Sequence, residues 1–229
     1  MLRKILLPVL LLILHSSLLG QWREALLDDG DMAADLEEAL TFTRYPTYYQ
    51  YVEMMNLFAQ NHPDICRLDT FGITPQGRLL LAVKISDHVD QDEAEAGFFY
   101  TSTMHGNELL GYPLMLRLID CLLSGFSSDE EVTRLVDGLA IWINPLANPD
   151  GTYYPDDNLT VESSQRQSAN GTDLNRDFPD RPSGDAASDT AGREDETKAM
   201  MAFLQKEGFH MSANIHSGTE VVNYPWDFT

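Results

Sequence analysis

Cysteine is nearly absent from this 229-residue chain: Cys66 and Cys121 are the only two. They are too few for a disulfide framework and too far apart for a CxxC metal or redox pair. Positive charge is also scarce, with 15 Lys and Arg against 36 Asp and Glu, a formal net charge of −21. No basic cluster lies outside the extreme N-terminus, which excludes a nucleic-acid-binding stripe and disfavours an anionic membrane as partner. No apolar run is long enough to span a bilayer; the longest is Ile5 to Leu14, interrupted by Pro8. The sequence has no GxSxG elbow, GxGxxG turn, Walker loop or HExxH helix, so the chemistries those motifs carry are set aside. Hydrophobic residues make up 43% of the chain, enough for a full core.

The start of the chain reads as an address. Arg3 and Lys4 precede the apolar run, and His15, Ser16 and Ser17 lead to Gly20, a small residue suited to a cleavage point. Residues 1–20 are therefore expected to be a signal peptide, with the product secreted or periplasmic and free of the membrane after cleavage. Residues 21–41 are acidic and read as a linker, and residues 42–229 as the domain. There the pattern predicts a helix over Pro46–Gln60 and strands over Ile65–Phe71, Leu79–Ile85 and Phe98–Thr103. A helix from Glu108 to Leu123, a strand over Leu139–Asn144, a helix over Gly192–Glu207 and a strand over Met211–Ile215 complete it. Alternating strands and helices indicate an α/β fold: a mixed, mostly parallel sheet flanked by helices. The stretch from Pro145 to Ala191 breaks this rhythm with Asn, Asp, Gly, Pro and Ser. A long irregular segment between core strands is more often functional than not.

His105-Gly106-Asn107-Glu108 falls where a strand ends and a helix begins. Ligands bind at the carboxyl ends of strands in open α/β sheets, and an imidazole and a carboxylate three residues apart can converge there on one ion. Alone, the pair reads equally as a capping Glu beside an exposed His. His216 ends the strand Met211–Ile215 and so occupies the same structural position on another strand. Two His and one Glu are an established ligand set for catalytic zinc, with a fourth position left for water. His210 competes as third ligand, but it precedes its strand and belongs to the opposite end of the sheet.

Asn170 to Asp180 reads NGTDLNRDFPD. This resembles the signature of zinc metallocarboxypeptidases, usually written DLNRNFPD, with Asp177 in place of the usual Asn. Upstream, Asn148-Pro149-Asp150-Gly151 matches that family's NPDG. Downstream, the segment from His216 through Asn223-Tyr224-Pro225-Trp226-Asp227 resembles its third-ligand region. The motif order is similar to that of the regulatory, carboxypeptidase N/E/D-like branch.

The resemblance implies that His105, Glu108 and His216 bind one Zn2+ and that Arg166 stabilises the oxyanion. It implies further that Asn175 and Arg176 hold the terminal carboxylate, that Asp173 hydrogen-bonds a ligand histidine, and that Asp227 meets a basic P1′ side chain. A guanidinium fork suits an enzyme that must read a free carboxylate. The partners implied are peptide or protein C-termini, with Lys or Arg preferred, and no nucleic acid. Cis peptide bonds are implied at Ser217–Gly218 and Pro225–Trp226. The family's general base is a Glu on a strand well beyond the third ligand; the sequence has 13 residues after His216, so the domain is expected to be C-terminally incomplete. Glu220 lies where the family has no catalytic residue. Two other functions remain open: a zinc amidohydrolase or deacylase on the same fold, and an inactive zinc-containing binding module.

Overall fold

A computed structural model describes residues 32–91 and 93–224. The signal-peptide and linker readings up to residue 31, and Asp227 with Pro225–Trp226, lie outside the described residues. Residues 32–41, read from sequence as part of a linker, carry a short helix, α1 (Leu36–Ala39), started by Asp35, whose carboxylate accepts the Glu38 N–H at 2.9 Å. Ala33 and Ala39 are buried against the domain.

Helix α2 (Tyr48–Asn61) begins at a capping box, where the Thr47 hydroxyl accepts the Gln50 N–H and the Gln50 side chain accepts the Thr47 N–H. Its buried residues, Tyr48, Tyr51, Met54, Met55 and Phe58, recur at three and four and form one stripe. Five strands follow the same logic at a period of two: β1 (Cys66–Ile73), β2 (Leu79–Ile85), β3 (Ala96–Ser102), β4 (Leu139–Asn144) and β5 (Met211–Ile215). Leu81, Val83, Ile85, Ile141 and Ile143 face one core, while Ala82 and Trp142 between them face another. The first core is closed by α2 and α3 (Gly111–Gly125), with α4 (Glu130–Val136) beside them. The second is closed by α6 (Asp195–Glu207), after the one-turn α5 (Pro149–Thr152). Phe203 of α6 stacks on Phe71 at 4.7 Å and meets Trp142 edge-on at 5.2 Å. The chain is thus a sheet between two helical layers.

Strand order is β1-β2-β4-β3-β5. The β1–β2 and β2–β4 pairs are antiparallel, and the β4–β3 and β3–β5 pairs are parallel. The sheet is mixed, as expected, with the parallel pairing concentrated in the half that ends at the motif residues. Among the described residues β5 pairs with β3 alone. No helix among the described residues is long and apolar enough to cross a membrane.

Candidate metal centre

β3 ends at Ser102, and Thr103 turns the chain with φ +57°, a left-handed conformation that a β-branched residue adopts only under constraint. The turn places His105 across the carboxyl end of the sheet, 3% exposed. The helix expected to begin at Glu108 begins instead at Gly111, because residues 105–108 form a turn closed by the Glu108 N–H on the His105 carbonyl at 3.0 Å. A Cβ at Gly106 would run into the backbone of Gly151 and Thr152, so this close approach admits only glycine. His216 enters from the end of β5, beside β3.

Three side chains from these two strand ends converge. His105 Nδ1 lies 2.8 Å from Glu108 Oε1, His216 Nδ1 lies 2.7 Å from Glu108 Oε2, and the two Nδ1 atoms are 3.1 Å apart. The Ser217 N–H donates to Glu108 Oε2 at 3.1 Å. Burial pushes the Glu108 carboxyl pKa up, but hydrogen bonds from His216, Ser217 and His105 outweigh it and hold the group below its usual range. Asp173 stands behind His105, with Oδ1 at 3.1 Å from Nε2, and its Oδ2 accepts the Arg166 Nε–H at 3.0 Å. Burial raises the Asp173 pKa too, and Arg166 and His105 more than reverse it. Arg166 Nη1 also approaches Glu108 Oε1 at 3.4 Å, so its guanidinium borders the triad.

Zinc ligated at about 2.0–2.1 Å in a tetrahedron spaces its ligand atoms about 3.3 Å apart. The two Nδ1 atoms, 3.1 Å apart, need to spread by only a few tenths of an ångström, and each lies within 2.8 Å of a Glu108 oxygen. With Asp173 taking the proton of His105 Nε2, the Nδ1 lone pair is left facing the centre, the arrangement a metal-ligating imidazole requires. The donor set therefore fits the ion.

His210 is removed from this set. Its Nδ1 accepts the Gly97 N–H at 3.1 Å, at the opposite end of the sheet. Asn175 and Arg176 occupy the exposed turn after Asp173 and make no hydrogen bond to the triad among the described residues; Arg176 Nη1 donates to the Asn175 carbonyl at 3.0 Å. The Ser217–Gly218 bond is trans, contrary to expectation, and the cis bond among the described residues is Tyr154–Pro155. A second cluster, Asp87, His88 and Glu93, lies in the β2–β3 loop with His88 and Glu93 exposed.

The sequence reading passed over what holds these loops in place. Asp150, of the NPDG motif, is fully buried and accepts from Arg78 Nη1 at 2.8 Å, from the Thr74 hydroxyl at 2.8 Å and from the Gln76 N–H at 3.1 Å. Arg78 is itself buried and donates to Asn158 and Asp156. Asn148 donates to the carbonyls of Met104 at 3.1 Å and Gln167 at 3.2 Å, and so ties the two segments that carry His105 and Arg166. The polar turn residues around Gly77 were the available signal for Arg78, but nothing local marks its partner 72 positions away.

Comparison with known proteins agrees with this geometry. The model of a family described as zinc carboxypeptidase matches residues 51–229. Carboxypeptidase D of Homo sapiens is 39% identical over 171 residues, 74% of this chain and 12% of that protein. Carboxypeptidase M of Mus musculus is 35% identical over 184 residues, 78% of this chain and 41% of that protein. This chain thus spans less than half the length of either relative. Carboxypeptidase A from Helicoverpa armigera superposes with a TM-score of 0.63 at 20% identity, over 78% of this chain and 47% of that one. Bovine thrombin-activatable fibrinolysis inhibitor, solved with tick carboxypeptidase inhibitor, gives 0.65 at 17% identity over 82% and 67%. Both share the fold.

Proposed function

The chain belongs to the zinc carboxypeptidase family, and on that premise we propose that it serves the zinc-dependent removal of C-terminal residues, Lys or Arg by preference, from exported peptides or proteins. The observation that carries this reading is the convergence of His105 Nδ1, His216 Nδ1 and both Glu108 oxygens within 2.7–3.1 Å, with Asp173 behind His105. In it, His105, Glu108 and His216 hold one Zn2+, which when bound polarises a carbonyl and lowers the pKa of water to about 7. Asp173 keeps His105 in the tautomer that presents Nδ1. Arg166, beside Glu108, donates to the oxyanion as it develops. Asn175 and Arg176 receive the terminal carboxylate, and their exposure on the turn leaves the guanidinium fork available for it. Asp227 meets the cationic side chain, because a carboxylate at the end of a pocket favours the charge that pairs it. The proton-abstracting carboxylate is assigned to none of the described residues. Residues 1–20 direct export.

The test combines metal content with a substrate panel. Purified wild type should contain one zinc per chain, and His216→Ala should lose it. Peptides ending in Arg, Leu and Glu, run beside N-acyl amino acids with and without chelator, report the reaction. Arg-ending peptides are expected to be cleaved fastest, with the preference lost in Asp227→Ala. Cleavage of N-acyl amino acids alone would establish an amidohydrolase instead. Zinc bound without turnover of any substrate would establish a binding module.

A further inference from the structure

Two Asn-x-Thr triplets occur in the sequence, Asn158-Leu159-Thr160 and Asn170-Gly171-Thr172. Neither asparagine has a part in the metal centre. Such triplets accept N-linked oligosaccharide when a chain passes a membrane that holds the transferase.

The folded chain treats the two differently. Asn158 is half-buried, with Oδ1 accepting from Nε of the buried Arg78 at 2.8 Å and Nδ2 donating to the Tyr49 hydroxyl at 3.1 Å. What sets Asn158 apart is its oxygen, held by the buried Arg78, which fixes the side chain in the domain. Asn170 is exposed at the tip of a tight loop. The loop is closed at its base by the Ser168 N–H on the Thr172 carbonyl at 2.8 Å and the Gly171 N–H on the Ser168 carbonyl at 3.0 Å. Gly171 takes φ +85°, and no atom lies within 4 Å of the place a Cβ would occupy, so the tip stands clear of the protein. Asn170 Nδ2 donates one hydrogen to Glu194 Oε2 at 2.8 Å. A glycosylated amide keeps one N–H, so this bond survives substitution of the other hydrogen.

We propose that Asn170 carries an N-linked oligosaccharide on the rim of the metal centre. The donor is a polyprenyl-pyrophosphate-linked oligosaccharide. Asn170 Nδ2 attacks the anomeric carbon, a C–N bond forms, the C–O bond to pyrophosphate breaks, and the lipid pyrophosphate leaves with the bonding electrons. The amide proton passes to a carboxylate base of the transferase. Asn170 lies three residues from Asp173, at most about 11 Å along the chain, so the sugar is attached close to the segment that carries Asp173. The proposal rests on the export reading.

Full-length chain is expressed in a eukaryotic secretory host in two forms, with its own N-terminus and with residues 1–20 replaced by an independent leader. Intact mass before and after N-glycan release, with peptide mapping of the Asn converted to Asp, locates any sugar. The expected result is one glycan in both forms, absent from Asn170→Gln and Thr172→Val and retained in Asn158→Gln. Leader-borne protein secreted with Asn170 unmodified, or with its glycan on Asn158, overturns the proposal. Modification behind the leader, with the native form left unexported, overturns the export reading and with it the modification of the native chain.

Discussion

Asp173 is a junction of three groups. Its Oδ1 meets His105 Nε2 at 3.1 Å and the Asn175 N–H at 3.0 Å, while its Oδ2 takes the Arg166 Nε–H at 3.0 Å. One carboxylate thereby fixes the His105 tautomer, the turn that carries Asn175 and Arg176, and the guanidinium beside the centre. Asp173→Ala should weaken zinc binding by about 10–100-fold, measured by competition with a chelator, with far-ultraviolet circular dichroism unchanged. Glu196 acts through protonation instead. It is 3% exposed, packed among Met104, Leu174, Phe178 and Met200, and apart from its own backbone N–H neither carboxyl oxygen meets a hydrogen-bond partner. Burial foremost, with added repulsion from Asp150, Glu194 and Asp195, pushes its pKa up to about 7. The native state therefore keeps a proton that the unfolded chain, titrating near pH ~4.3, has already released. The contribution is complete below about pH 4, shrinks as pH rises toward 7, and is gone above it, a loss on the order of 3 kcal/mol. Urea midpoints between pH 5 and 8.5 should fall for wild type and stay flatter for Glu196→Gln.

At the level of elements, α5 and the loop after it are held from below by the Arg78–Asp150 pair, whose side chains are 2% and 0% exposed. Arg78→Met leaves the Asp150 charge buried without its partner and should destabilise the fold by about 3–5 kcal/mol in urea unfolding. Replacing both residues with apolar ones should cost less than the sum of the single changes. This pair also marks where sequence reading stops. Leu79–Ile85, Leu139–Asn144 and Met211–Ile215 could be delimited to the residue because short apolar or alternating runs are bounded by turn residues at each end. Two strand ends and an HxxE turn then placed His105, Glu108 and His216 together, since parallel neighbours deliver their last residues to one side. Arg78 with Asp150 had no such periodic trace, being a contact between two turns. Helix α4 was missed because seven residues give too little periodicity, although Asp129 caps it through the N–H groups of Glu131 and Val132. The start of α3 was set three residues early, because the turn carrying Glu108 has helical composition but is bent by its role at the site.

For the molecule as a whole, a net charge of −21 sets the approach of ligands. Cationic peptides should associate faster than neutral ones of equal length at low salt, with the difference shrinking as the Debye length falls to ~8 Å near 0.15 M. Stopped-flow binding of labelled peptides across ionic strengths measures this. The position of β5 has a different consequence. Among the described residues it pairs on one side alone, and His216 at its end is within reach of an ion shared with His105, 111 residues earlier in the chain. A metal seated there is a removable cross-link: it closes a long loop of polypeptide and clasps β5 to its neighbour β3. Protease cutting in the short connection between α6 and β5, residues 208–210, should therefore slow when zinc is added and resume when it is stripped. In His216→Ala the cutting rate should be indifferent to the metal, because the clasp has lost one of its ends.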